Sequence, residues 1–444
     1  MSDILAAPIC AIINSTIRQG IVPDSWKISR ITPLPKVYPP ATVEHDIRPI
    51  AITNSIAKVA ERFIGQFFNE HFRNHIDPQQ FGCTVKRSTT HALIKLTDEW
   101  FKASENCKNI TRILFIDFKK AFDLIDHNVL MNKFIEYEFP PHVTSWLLSF
   151  LEDRKQFVSI SNSHSAIRTS NAGAPQGTRA GPNVFKMLIN SLRFSLNYAK
   201  YVDDITISSI SKDPDNNELQ TAVDSNLVTF TLENGMYTND HKTKEMLVYF
   251  GTNINKDQVP RICINGRQIE RVDTFKLLGV VISADLSWSA HVTYILNKTA
   301  KRVYCIRLLV RAGIRDDDIV TVYCSVIRSV LEYACPVWHP GLNVKQTKDI
   351  ERVQKRCLRL IYPSLSYSEA LSCSGLEKLS ERREAITRAL FEEMKDEGHV
   401  LHSLLPKREA TTVNLRNFYP FHIPITKITR YGRAFVPYCI SKRF

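Results

Sequence analysis

Glycine is scarce in this chain, with 15 in 444 residues, and no stretch is dominated by glycine and serine. A long flexible linker is therefore not expected, because such linkers are built from these two residues. The sequence also lacks internal repeats and low-complexity segments. The ten cysteines include neither a Cys-x-x-Cys pair nor the spacing of a zinc site. We interpret them as reduced, mostly buried thiols of an intracellular protein.

The amino terminus lacks the features of a targeting signal. No basic segment precedes its apolar residues, and the apolar stretch is too short to span a bilayer. We expect neither secretion nor a transmembrane anchor.

The chain is long enough for two or three domains, and its hydrophobic content of 44% supports substantial cores. Lysine and arginine number 58 against 45 aspartates and glutamates, which gives a net charge of +13. This excess favours a polyanionic partner, nucleic acid first. Ordinary basic surface charge explains it too, and charge alone does not exclude a membrane-surface role.

Two adjacent aspartates interrupt a run of strand-forming residues at YVDD, residues 201–204. Aspartate is disfavoured in strands and Asp-Asp is typical of turns, so the segment predicts a hairpin with both charges at its tip. The carboxylates repel each other unless water, a cation or a base neutralises them. A solvated turn explains these four residues as well as a functional site does.

A further aspartate, Asp117, follows the apolar run 112–116, which predicts a buried strand. If this strand and the hairpin are neighbours in one sheet, Asp117 and Asp203 converge. Carboxylate oxygens are the ligands that magnesium prefers, and two such ions can activate a hydroxyl and stabilise a leaving phosphate.

Hydrophobic spacing and turn residues predict the other elements. Helices are expected over 4–17, 54–68, 89–104, 119–137, 141–152 and 216–233, a strand within 26–36, and a turn at 265–266. From about residue 290 to 400 the pattern changes to long basic amphipathic helices. That change is our best prediction of a domain boundary.

Five segments resemble, in order and spacing, successive motifs of reverse transcriptases, and they are most similar to those of non-LTR retrotransposons of the LINE and jockey-like group. They are FIDFKKAFDLIDH (115–127), NAGAPQGTRAGP (171–182), YVDD (201–204), NDHKTKEM (239–246) and FKLLGV (275–280). ITPLPK, DIRPI and FGCTVKRSTTHAL (81–93) resemble finger motifs, and LEYACPVWHP with IERVQKRCLRLI extends the likeness over 331–361. The order of five motifs makes the resemblance specific.

The resemblance implies an α+β right-hand polymerase. Residues 1–285 would form fingers and a palm with an antiparallel sheet. Residues 286–400 would form an α-helical thumb-like region, and 401–444 a C-terminal tail.

The resemblance also implies catalytic roles. Asp117 and Asp203 would hold two magnesium ions, with manganese as a substitute, together with the backbone carbonyl of Phe118. Asp204 would be the third acidic residue, and Lys242 would stabilise charge or donate a proton near the triphosphate. A strand-end cap for Asp117 and a solvated turn for Lys242 are the alternatives.

Several residues would contact substrates by the same resemblance. Lys36 and Arg48 would reach the triphosphate, and Phe122 would exclude the ribonucleotide 2′-hydroxyl. Pro175, Gln176 and Gly177 would support the nascent base pair. Phe275, Leu278 and Gly279 would form the primer grip. Core packing is the alternative for Phe122 and for the strand at 275–280, and a plain loop is the alternative for Pro-Gln-Gly.

The sequence departs from the family pattern at three places. Val202 stands where alanine is usual, residues 82–88 lack the usual glycine and arginine pattern, and Arg179 and Ala180 replace commoner uncharged and apolar residues. These departures bear on template grip more than on chemistry. Because no endonuclease sequence precedes residue 1, self-sufficient retrotransposition is not expected.

The leading interpretation is an RNA-directed DNA polymerase acting on an RNA template, a DNA primer and deoxynucleoside triphosphates, without a membrane. A catalytically degraded nucleic-acid-binding remnant and a helical interaction scaffold are the alternatives. We expect an intracellular protein, nuclear or in a cytoplasmic ribonucleoprotein. Oligomeric state, template and target specificity, and processivity are not readable from the sequence.

Overall fold

The computed structural model describes residues 2–407, 421–422 and 426–444. Its helices are α1 Ser2–Gln19, α2 Asp24–Lys27, α3 Val43–Asp46, α4 Ser55–Phe72, α5 Thr89–Ala103, α6 His127–Glu136, α7 Pro141–Leu151, α8 Ala180–Leu188, α9 Glu218–Ala222, α10 Thr229–Glu233, α11 Ser289–Arg311, α12 Asp316–Val322, α13 Ser329–Glu332, α14 Cys335–Trp338, α15 Val344–Ile361, α16 Tyr367–Ser374, α17 Leu379–Met394, α18 Thr429–Gly432 and α19 Phe435–Ser441. π-Helical turns join α9 to α10 and α12 to α13.

The strands are β1 Ile28–Pro35, β2 Ile47–Ile52, β3 Ile110–Ile116, β4 Arg154–Ile160, β5 Ser163–His164, β6 Arg168–Ser170, β7 Asn197–Tyr201, β8 Asp204–Ser211, β9 Lys244–Val248, β10 Cys263–Ile264, β11 Arg267–Gln268, β12 Glu270–Arg271, β13 Thr274–Leu277 and β14 Val280–Ser283. Most of them belong to two sheets. The remaining four form the hairpins β10–β11 and β13–β14.

The central sheet has the order β12-β9-β3-β8-β7, antiparallel except between β12 and β9. All seven residues of β3 are buried, as its apolar run predicts. Successive side chains of a strand point to opposite faces. Accordingly, Ile113 and Phe115 enter one core, and Leu114 and Ile116 enter the other. The predicted palm, with its antiparallel sheet, is confirmed.

The second sheet lies in the predicted fingers and has the order β2-β1-β4-β5, with β6 also paired to β4. β1 runs antiparallel to β2 and parallel to β4. Helix α4 begins beside this sheet, where the Asn54 side chain accepts a hydrogen bond from the N–H of Ile56, as expected of a helix cap.

The carboxy-terminal helices share a core with the central sheet. Val292 and Ile306 of α11 and Leu358 of α15 belong to the same cluster as Phe115 and Met246 of the sheet. The change in composition near residue 286 therefore marks the start of α11 but not a gap in the packing.

The last part of the chain, where the sequence predicts a tail, contains buried residues. Phe435, Cys439 and Ile440 of α19 are buried in the shared core, and the ring of Phe435 lies 6.3 Å from that of Phe391 on α17. The described residues of this segment thus pack against the helical region.

One helical stretch, residues 316–341, is long and apolar enough to cross a membrane by length and composition. Within it, Tyr323, Ile327 and Leu331 are fully buried in the shared core. Ala334 has a left-handed φ of 50° that interrupts the helix. These three side chains therefore face the interior of the protein.

Two sequence predictions are wrong. The helix predicted over 119–137 covers only His127–Glu136, because Asp126 caps its first turn and Lys120 adopts a φ of 46°. The cysteines are all free, but they are not mostly buried: three are buried, two are intermediate and five are exposed. Helical and turn positions that face solvent account for the exposed thiols.

Candidate active site

Asp117 directly follows the buried strand β3. The N–H of Asp117 donates to Thr243 Oγ1 (3.2 Å), and the N–H of Asn239 donates to the Asp117 carbonyl (2.7 Å). Burial raises the pKa of the Asp117 carboxyl, against the lowering effects of Lys242, a hydrogen bond from the Asn239 side chain, and Lys36. Its Oδ2 is buried without a hydrogen-bond partner among the described residues. An ionised oxygen in such a position calls for a cation.

The other two aspartates lie at the tip of the β7–β8 hairpin. Tyr201 pairs with Asp204, so the connecting loop has two residues, Val202 and Asp203. The pairing of Ile116 with Ile205 places Asp204 beside Asp117 on the neighbouring strand. The two strands thus bring together the three carboxylates that the sequence predicts.

Burial, followed by mutual repulsion, raises the pKa values of the carboxyls in this cluster. Burial and then the Asp117 charge raise the pKa of the Asp203 carboxyl. Although the Asp204 side chain is exposed overall, partial burial of its carboxyl, followed by Asp203 and Asp117, raises its pKa to about 6. Like charges that raise one another's pKa favour the uptake of a proton or a cation.

The predicted metal ligands offer hard oxygen donors, which fit magnesium or manganese. Phe118 and Thr238 form an antiparallel β-bridge, whose hydrogen bonds come from the N–H groups of Lys119 and Asn239. The Phe118 carbonyl takes no part in these two hydrogen bonds. No group of three or more His, Cys, Asp or Glu side chains in the described ranges is closely enough arranged to hold a metal ion. The donors fit the metal, but they are not gathered into a closed ligand set.

The predicted basic residues differ in their distance from the carboxylates. Lys242 and Lys36 both act on the pKa of Asp117, so both lie within electrostatic reach of it. Arg48 lies on an exposed position of β2, opposite Leu34, and is not one of the charges that shift Asp117. Two of the three predicted cations therefore act electrostatically on the Asp117 carboxyl.

The Pro-Gln-Gly loop, residues 175–177, packs against strand β2. The Gln176 carbonyl accepts from the N–H of Ala51 (2.8 Å), and Gln176 Nε2 donates to Asp123 Oδ1 (3.2 Å). Gly177 has a φ of 105°, and a Cβ there would lie 3.0 Å from the Ala51 carbonyl oxygen. Pro175 and Gln176 line a cavity of about 360 Å³ between the loop and the finger sheet.

Phe118 and Phe122 occupy different environments. Phe118 is buried. Phe122 is half-buried, and its ring stacks on that of Phe185 at 4.9 Å. Phe122 thus packs against a core residue and is also partly exposed to solvent.

The predicted primer-grip hairpin is β13–β14. Phe275 stacks on Phe115 of the central sheet with the ring centroids 4.0 Å apart. Leu278 and Gly279 form its two-residue turn, with φ values of 44° and 87°. Tyr333, from the LEYACPVWHP segment, donates through its hydroxyl to the Leu278 carbonyl (2.8 Å).

Sequence reasoning missed several residues that support the site. Glu61 Oε2 accepts from the N–H groups of Arg179 and Ala180 at the start of α8. Lys200 pairs with Asp77 at 2.6 Å, and both side chains are fully buried. The sequence does not distinguish Glu61 from a surface glutamate, because only the folded helix α4 shows that this side chain is buried and requires a partner.

The three aspartates lie within a segment that resembles known proteins. Residues 36–282 match the family described as reverse transcriptase (RNA-dependent DNA polymerase). The chain is 26% identical over 370 residues to a probable RNA-directed DNA polymerase from transposon BS of Drosophila melanogaster, covering 79% of this chain and 40% of that protein. It is also 26% identical over 367 residues to the RNA-directed DNA polymerase from mobile element jockey of the same species, covering 79% and 39%. The chain thus spans about 40% of the length of these relatives.

Among solved structures, apo telomerase from Candida Tropicalis aligns with a TM-score of 0.44 and 11% identity, over 90% of this chain and 66% of that one. Telomerase from the same organism in complex with a fragment of telomeric RNA aligns with a TM-score of 0.40 and 12% identity, over 98% and 63%.

Proposed function

This chain belongs to the reverse transcriptase (RNA-dependent DNA polymerase) family, and from that premise we propose that it is the RNA-directed DNA polymerase of a non-LTR retrotransposon. It extends the 3′ hydroxyl of a DNA primer with deoxynucleotides on an RNA template. The observation that carries the proposal is the meeting of Asp117, Asp203 and Asp204 at one end of β3 and β8. An isolated solvated hairpin turn would not place a third carboxylate with an unpartnered buried oxygen beside it.

Asp117, Asp203 and the Phe118 carbonyl would hold magnesium, or manganese in its place, which supplies activation of the primer hydroxyl and neutralisation of phosphate charge. Lys242 lies on the loop that fixes Asp117, where its ammonium group would offset charge developing on the departing pyrophosphate. Lys36 would contact the triphosphate from the finger side, and Arg48 is assigned the same role by resemblance alone.

Nucleic-acid partners are supported by the positive charge of the helical region. α11 and α15 pack against each other and carry exposed basic residues, namely Lys298, Lys301, Lys345, Lys348, Arg352, Lys355, Arg356 and Arg359. Phosphate contacts of this kind supply affinity that is largely independent of sequence. RNA template and DNA primer are the proposed partners, in an intracellular setting, nuclear or ribonucleoprotein-bound.

Primer extension by the purified chain tests the proposal, with an RNA template, a DNA primer, deoxynucleotides and magnesium or manganese. The wild-type chain should extend the primer, and Asp203→Asn should lower turnover by at least about a hundredfold while leaving the fold intact. Asp215→Asn, an exposed aspartate after β8, is the matched control and should leave turnover unchanged. A wild-type chain that binds primed template but extends nothing would instead be a catalytically degraded remnant.

A further inference from the structure

The turn that carries Asp203 contains an unfavourable backbone conformation. Val202, the first of its two loop residues, has a φ of 60°. A β-branched residue is a true outlier in this region, and glycine is the usual residue at such a turn position. Because Asp203 is the next residue, the conformation of Val202 determines where its carboxylate lies.

A side chain from a distant segment holds this turn. Gln80, only 1% exposed, accepts through Oε1 from the N–H of Val202 (3.2 Å) and from the N–H of Gly82 (2.9 Å). Two backbone donors converge on the same atom, which identifies it as the amide oxygen. Gln80 therefore binds the strained residue directly.

The segment that carries Gln80 is fixed closely against the hairpin. The N–H of Lys200 donates to the Gln79 carbonyl (2.8 Å), and the N–H of Phe81 donates to the Lys200 carbonyl (2.7 Å). At Gly82 a Cβ would lie 2.4 Å from the Val202 nitrogen, so only glycine permits this approach. The buried ion pair between Asp77 and Lys200 anchors the same segment one residue before Tyr201. This packing leaves Gln80 little freedom to move away from the turn.

We infer that Gln80 is a positioning residue, whose amide oxygen holds the Val202 N–H in its strained conformation and thereby fixes the Asp203 carboxylate. The inference rests on the proposed function, because it assumes that Asp203 acts in nucleotide addition. Gln80 is buried and contacts the turn. Its loss should therefore lower turnover and leave the affinity for template-primer nearly unchanged.

The test places Gln80→Leu, which keeps the shape but removes the acceptor, in the wild-type and Val202→Gly backgrounds. In the wild type, kcat should fall about tenfold, and the template-primer Kd should change by less than about twofold. Glycine adopts positive φ without strain, so the same substitution should cost less than about threefold in the Val202→Gly background. Gln79→Leu is the matched control, because that side chain bonds Lys95 and not the turn, and its kcat should stay within about twofold of the wild type.

Urea unfolding gives a second result that does not require activity. Gln80→Leu should raise the unfolding equilibrium constant about tenfold in the wild-type background and clearly less in the Val202→Gly background. An equal effect in both backgrounds, on kcat or on unfolding, overturns the inference. If the wild type extends no primer, the proposed function fails, whereas coupling in urea still decides whether Gln80 holds Val202. If Gln80→Leu alone does not fold, recovery of cooperative unfolding by Val202→Gly supports the inference, and failure to recover overturns it.

Discussion

At the scale of single residues, Phe122 combines a packing role with a proposed selection role. Its ring stacks on Phe185, yet it is only half-buried, so its exposed part is available to the sugar of an incoming nucleotide. Phe122→Val should keep the protein folded, at a cost of about 1–2 kcal/mol, less than for a fully buried phenylalanine. The smaller side chain should raise the kcat/KM for ribonucleotides relative to deoxynucleotides at least about tenfold, which single-nucleotide extension measures.

The control for this substitution is Phe134→Val, a fully buried phenylalanine of α6. It should destabilise the protein more and leave the ratio of the two kcat/KM values unchanged. If Phe122→Val also leaves that ratio unchanged, Phe122 is a core residue and not a sugar gate.

The charged residues of the motifs can be identified from the sequence. The residues that hold those motifs in place from distant parts of the chain cannot. Asp117 and Asp203 were predictable because their motifs occur in family order, and pairing of β3 with β8 brings them together. Gln80 was not, because it lies 122 positions before Val202 and no local pattern connects them. Only the folded chain shows the contact.

At the scale of elements, two hairpins provide an internal comparison. The turn of β13–β14, Leu278–Gly279, and the turn of β10–β11, Asn265–Gly266, both have positive φ at both residues. A Cβ on Gly279 would lie 2.9 Å from Tyr333 Cε1, whereas a Cβ on Gly266 meets nothing within 4 Å. A substitution at either glycine would therefore strain the backbone, but only a substitution at Gly279 would also bring a side chain too close to Tyr333.

Gly279→Ala and Gly266→Ala should each lose about 1 kcal/mol of unfolding free energy from the positive φ. Only Gly279→Ala should also displace the turn from Tyr333, and primer extension should then fall about tenfold through misplacement of the primer end. Urea unfolding and steady-state extension of both variants measure the two effects. Equal losses of activity would show that Tyr333 does not set the position of this hairpin.

Periodicity predicted the elements best where one interpretation fitted the spacing. The strand β3 is confirmed, and so is the helix predicted to begin at residue 54, which is observed as α4 from Ser55. Between 118 and 126, however, Phe118, Phe122 and Ile125 fit helical spacing although this segment is built from turns. Long-range bonds explain the difference: the N–H of Lys119 donates to the Tyr237 carbonyl, and the N–H of Ala174 to the Phe122 carbonyl. Such contacts override local spacing.

At the scale of the whole molecule, two histidines with buried ring nitrogens, His291 and His339, lie at the core shared by the sheet and the carboxy-terminal helices. Burial lowers the pKa of His291 to about 4, and burial followed by the Arg383 charge lowers that of His339 to about 3. His291 accepts through Nδ1 from the N–H of Val281 on β14 and lies 5.3 Å from the Trp338 ring. Protonation of these rings would place charge between the sheet and the helices.

Because of these histidines, we expect the free energy of unfolding to fall as the pH is lowered below 6.5. Since the folded-state pKa is lowered from 6.5, the native protein binds fewer protons than the unfolded chain below that pH. The contribution of His291 is fully present above pH 6.5 and is lost as the pH falls toward 4, by at most about 3 kcal/mol. Carboxyls with a raised pKa, such as Glu99, act in the opposite direction, so a comparison of variants is needed to isolate the histidine.

His291→Asn supplies that comparison, because the amide oxygen can still accept from the Val281 N–H but does not titrate. Urea unfolding at a series of pH values between 8 and 4.5 should show a shallower loss of stability for His291→Asn than for the wild type. The control is His142→Asn, an exposed histidine on α7, whose curve should run parallel to the wild type. If the His291→Asn curve also runs parallel to the wild type, His291 does not couple the packing of sheet and helices to pH, and the loss of stability at low pH comes from other groups.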